Sequence, residues 1–168
     1  MPIISVDRYT RAQIQADRDS LYVFGDNLAR RGGAPDANGW SNPRAGQAAA
    51  CRNEPNAVGI PTKRLPSMDE SAFFTDDDLE RVRPVIQAGF RRLADHLRTG
   101  GTVVLPSAGI GTDRAQLAAR APSIRDYIDR CFDHLRTVAA ESPATPGVAA
   151  APAVDTAPQN LRSRLLGR

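Results

Sequence analysis

Short apolar runs, each cut off by glycine or proline, alternate along this chain with longer segments of helical period, and few folds accept that pattern. Residues 21–24 (LYVF) read as a strand ending at Gly25, residues 58–60 (VGI) as a second ending at Pro61, and Thr102–Leu105 (TVVL) as a third ending at Pro106. Runs this short, flanked by chain-turning residues, suit strands buried on both faces of a parallel sheet. Helical segments lie between them. Thr10–Asp19 opens on a threonine suited to capping, Arg44–Arg52 is short and Ala-rich, and Ser123–Ala139 places Ile124, Ile128 and Leu135 on one face. In Asp76–Arg98, Leu79, Val82, Ile86, Phe90, Leu93 and Leu97 recur every three or four residues; Pro84 is expected to kink this helix or mark its first turn. The alternation predicts an α/β fold, a three-layer α/β/α sandwich around a largely parallel sheet.

Composition narrows the function classes. The chain has 168 residues, 41% apolar and 24% charged, which fits one ordinary domain. From Glu141 onward it is Pro/Ala-rich without period, so residues 1–140 are expected to form the domain and 141–168 a disordered tail. No run approaches the roughly 18 apolar residues of a membrane helix, and MPIISVDRYTR lacks the apolar stretch of a signal peptide; the expectation is a cytoplasmic protein with no membrane partner. Cys51 and Cys131 have no CxxC spacing, so neither a zinc cluster nor a disulfide framework is expected, and no cofactor is implied. All the basic residues but Lys63 are arginine, and they interleave with acids along the helical segments. A nucleic-acid binder would gather them on one face, so that function ranks low.

In open parallel sheets ligands bind beyond the C-terminal strand ends, where loops enter helices. Three such loops stand out: Gly25-Asp26-Asn27 after the first run, Pro61-Thr62-Lys63-Arg64 after the second, and Ser107-Ala108-Gly109-Ile110-Gly111-Thr112-Asp113 after the third, before a short helix at Arg114–Arg120. Gly109 and Gly111 lack Cβ atoms and let backbone amides approach a phosphate; Gly46 and Gln47, opening the Ala-rich helix, offer a second cradle, and two cradles suit a diphosphate. The signatures GxxxxGK[ST], GxGxxG after a strand and GxSxG are absent, and His96 and His134 fall on helices as surface or capping residues. What remains is Asp26, Lys63 and Asp113 as candidate catalytic residues, with Asn27 suited to a ribose hydroxyl. Structural roles stand beside these: Asp26 as an Asx turn, Asp113 as an N-cap, Lys63 as a solvated side chain.

The segments YVFGDNLARRG, AGQAAACRNEPNAVGIPTKRLPSMDESAFFTD and VVLPSAGIGT resemble a family of small, largely uncharacterised bacterial and phage domains related to macrodomains. The resemblance covers roughly residues 20 to 138. It implies a macrodomain-like fold that binds ADP-ribose, with one diphosphate loop on Ala45-Gly46-Gln47-Ala48, a second on Ser107 to Thr112, and Asp26 and Asn27 near the distal ribose. This chain departs from the family in carrying APDANGWSNPR before Ala45-Gly46, including Trp40, which would stack on a base or cover the loop. The resemblance implies binding of ADP-ribose or a related nucleotide, with hydrolysis of an ADP-ribosyl linkage by Lys63 and an aspartate as its extension. A non-catalytic nucleotide-sensing or partner-binding module of phage or bacterial conflict is the alternative, and a nucleic-acid binder the second.

Overall fold

The computed structural model describes residues 3–30, 47–112 and 114–142. Gly46, Asp113, Trp40 and the tail beyond residue 142 lie outside them.

Four strands, β1 (Ile3–Val6), β2 (Ser20–Asn27), β3 (Ala57–Lys63) and β4 (Thr102–Pro106), form one sheet in the order β1-β4-β2-β3. Every pairing is parallel. Side-chain alternation divides the core in two. Leu21 and Val23 of β2, Val58 and Ile60 of β3, and Val103 and Leu105 of β4 pack against α3 (Leu79–Arg98) and α5 (Pro122–Glu141). Tyr22, Phe24, Ala57 and Val104 point the other way, to α1 (Arg11–Ala16) and α2 (Gln47–Cys51). Helices therefore cover both faces, which is why β2 reads as a continuous apolar run rather than an alternating one.

The three expected strands are present and the differences are instructive. β3 runs on through Pro61 to Lys63 instead of stopping at the proline. It is an edge strand, and the Asn56 carbonyl accepts from Tyr22 N, so alternate residues from Asn56 face β2 while Pro61 faces outward, where a missing N–H breaks no ladder bond. β1, at the opposite edge, was not expected; it is only four residues long and buries little. The helix expected over 76–98 begins as a turn of 3-10 helix at Asp76–Asp78 and continues as α3 with Pro84 inside it. α5 opens on Pro122 in its first turn, and α4 is a single turn at Leu117–Arg120.

Thr10 caps α1 as its sequence position suggested: its side chain accepts from Gln13 N while Gln13 answers the Thr10 backbone amide. Thr10→Ala is expected to lower stability by about 0.5–2 kcal/mol in urea unfolding.

Candidate functional site

The topology offers a place for a ligand between β2 and β4. β2 and β4 are neighbours, yet β2 is followed by α2 on one face of the sheet and β4 by α4 and α5 on the other. Loops that leave adjacent strands toward opposite faces part above them, and ligands of such sheets bind in the gap. The loop after β4 lies over the end of β2: a Cβ placed on Gly25 would lie 3.8 Å from the backbone N of Gly111 and 3.1 Å from Thr62 Oγ1 of β3.

The loop after β4 has the backbone its glycines suggested. Gly109 and Gly111 both adopt the left-handed region, with φ of +75° and +78°. Among the described residues no acceptor receives the amides of Ala108, Ile110, Gly111 or Thr112. The loop is pinned from outside. Gly109 N donates to the Pro106 carbonyl, Leu117 N to the Gly111 carbonyl, and Arg125 Nη1 to the Ile110 carbonyl at 3.1 Å. Ser107 Oγ, exposed, donates to Asp7 Oδ1 at 2.6 Å, bringing in a carboxylate from the end of β1 that sequence reasoning missed because β1 itself was missed.

Asp26 occupies the expected strand end but its side chain turns beneath α2. It is 2% exposed and ion-paired with Arg52, itself 1% exposed, and its Oδ1 also accepts from Asn27 N at 2.8 Å. Burial pulls the Arg52 pKa down from its ordinary value. Arg52 carried no sequence signal; the pairing joins residues distant in sequence. Asn27 sits half-buried beside Lys63 in the strand register, across the irregularity that follows Asp26. Gln47 Nε2 donates to the Tyr9 carbonyl, which ties the start of α2 to the segment after β1.

Lys63 is buried, at 6% exposure, rather than solvated. Its ammonium donates to the Ser67 carbonyl and lies 4.4 Å from the centroid of the Phe73 ring. The guanidinium of Arg120 lies 3.9 Å from the same centroid and binds Glu70 at 2.5 Å. Burial lowers the Lys63 pKa, and the charges of Arg114 and Arg120 lower it further. Among the described residues Lys63 has no carboxylate within ion-pair distance, and the more distant charge of Asp69 only partly offsets the two arginines. Asp26 and Lys63 thus come from neighbouring strands, but their side chains are held by different groups. No three His, Cys, Asp or Glu side chains cluster as metal ligands among the described residues.

At the opposite end of β2 and β3 a second polar network fixes α1 to the turn before β3. Glu54 accepts from Arg11 at 2.7 Å, Gln15 at 2.8 Å and Arg18 at 3.1 Å, and Asn56 Nδ2 donates to the Ile14 and Asp17 carbonyls. Burial pushes the Glu54 carboxyl up, but the hydrogen bonds from Gln15 and Arg18 and the Arg11 charge outweigh it and hold the pKa below its ordinary 4.5. A depressed carboxyl stabilises the fold above its unfolded value, and that contribution is lost as pH falls through the folded value. Glu54→Gln is therefore expected to lower the urea midpoint at pH 7 and to flatten its decline between about pH 5 and pH 3.

His96 Nε2 lies 3.1 Å from the Thr102 carbonyl and closes the α3–β4 turn, while His134 is exposed on α5. Cys51 is a small core residue, 1% exposed. No helix among the described residues is long and apolar enough to cross a membrane.

Comparison with known proteins adds the family and nothing beyond it. No curated protein and no solved structure matches the chain. Residues 4–131, which take in β1 from Ile4 onward, the other three strands and the loop after β4, match a family of unknown function, and the chain belongs to that family, DUF7831.

Proposed function

We propose that the protein binds ADP-ribose or a related nucleotide diphosphate between the ends of β2 and β4, as a macrodomain-like sandwich would. The observation that carries the reading is the loop Ser107–Thr112, whose amides at Ala108, Ile110, Gly111 and Thr112 are unclaimed by described residues and which is bent by two left-handed glycines over Gly25. Backbone amides so arranged suit phosphate oxygens. The buried charge of Lys63, with the charge of Arg114 acting on it, favours an anion at the same end of the sheet. The arginines elsewhere are dispersed, and Arg83, Arg98, Arg125 and Arg136 are each bound to an acid of their own helix, which speaks against the nucleic-acid reading.

Binding and hydrolysis separate in this reading. Asp26 is engaged by Arg52 and Lys63 by the Ser67 carbonyl, so neither has a side chain poised toward water, and a binding module accounts for both. Hydrolysis of an ADP-ribosyl linkage by Lys63 with Asp113 is the extension. Titration calorimetry with ADP-ribose, AMP, NAD and ribose 5-phosphate tests the binding. The expected result is saturable heat with ADP-ribose, weaker with the monophosphates; no heat with any of the four overturns it. Release of ADP-ribose from a modified protein that stops in Lys63→Ala and Asp113→Ala, with binding retained, would establish the extension.

A further inference from the structure

Helices α3 and α5 pack side by side, and their outward faces leave a groove of about 600 Å³ on the side of the molecule away from the α1 and α2 layer. Its floor is the buried Phe90, Ala94 and Leu135, with Phe90 stacked edge-on against Phe132 at 4.8 Å. Tyr127 and Cys131 are half-buried in its wall, so apolar surface faces the groove without being covered. The rim is cationic: Arg91, Arg98 and Arg130 line it, against Asp95 as the one carboxylate.

The charge is not cancelled locally. Glu80, Asp95, Asp129 and Asp133 are each held by an arginine of their own helix, namely Arg83, Arg98, Arg125 and Arg136. Arg91 and Arg130 have no carboxylate partner among the described residues; Arg130 has only the Tyr127 ring, at 6.0 Å. An exposed cation is well hydrated and costs little alone, but two guanidiniums without carboxylate partners flanking the half-buried Tyr127 match a partner that supplies both acids and an apolar anchor. A cleft between two helices is the shape that receives a third helix through side chains at i, i+3, i+4 and i+7. We propose that this groove docks an acidic amphipathic segment of a partner protein, with an apolar side chain against Tyr127 and Phe90 and carboxylates on Arg91 and Arg130. A nucleic acid would use the cations but not the floor.

The test uses the full chain and a fluorescein-labelled peptide with leucine on one helical face and glutamate on the other. The expected result is saturable anisotropy that a sequence-scrambled peptide of equal composition does not reproduce. It should weaken about tenfold or more in the double variant Arg91→Glu/Arg130→Glu. Both arginines are exposed, so the variant should keep its circular dichroism spectrum. Peptide should also slow alkylation of Cys131, which lines the groove, whereas Cys51 is buried in the opposite layer. Absence of peptide binding, binding that survives both charge reversals, or a reversal that abolishes only binding of a single-stranded oligonucleotide would each overturn the proposal.

Discussion

Replacing Arg52 with methionine is expected to destabilise the fold by about 3–5 kcal/mol, because it leaves the Asp26 carboxylate buried without its counter-charge. Asp26 is 2% exposed and Arg52 1%, so water cannot take over the lost interaction without opening the layer between β2 and α2. The cost should be largely recovered in the double variant Arg52→Met/Asp26→Leu, since removing both charges removes the desolvation that each required. Urea unfolding of the single and double variants gives the comparison directly. A loss below about 1 kcal/mol in the single variant would mean that the pair is solvated in solution, at the level of exposed ion pairs.

The second large effect falls on ligand binding. Gly111→Ala places a Cβ 2.5 Å from Leu117 Cδ1 and 3.2 Å from Leu117 Cγ, at a residue whose φ is +78°. The left-handed conformation alone costs a non-glycine residue about 1–2 kcal/mol, and the clash requires the buried Leu117 side chain, the loop or α4 to shift. The expected result is a fold that persists and an affinity for ADP-ribose reduced at least tenfold, which corresponds to about 1.4 kcal/mol. Gly109→Ala provides the contrast. Its φ is +75° but nothing lies within 4 Å of the added Cβ, so it should suffer the backbone cost without the displacement and lose less affinity. Equal losses at both positions would show that backbone strain, rather than the position of the Gly111 amide, governs the site.

What could be read from the residues follows from where each signal originates. β2, β3 and β4 are buried on both faces or bounded by glycine and proline, so their runs are legible locally. β1 is an edge strand interrupted by Ser5, and four residues that bury little leave no periodic signal. Pro61 read as a terminator because nothing local says that β3 is an edge, and the outward-facing position that tolerates it is a property of the sheet order. The same limit applies to the site. Gly109 and Gly111 were legible because a glycine's conformational freedom is its own property, and both carry positive φ. The partners of Asp26 and Lys63 were not, because Arg52, Phe73 and Arg120 reach them through tertiary packing. Spacing placed two charged residues at one end of the sheet; only the packing determines that Asp26 turns under α2 and Lys63 toward Ser67.

The central claim, that the loop after β4 cradles a diphosphate between the ends of β2 and β4, is tested most directly by backbone amide chemical shifts of labelled protein titrated with ADP-ribose. The account predicts the largest shifts at Ala108, Ile110, Gly111 and Thr112, followed by Gly25 and Asn27, with α1 and the distal half of α3 unmoved. Saturating shifts confined to another surface, or none at millimolar ligand, would contradict it.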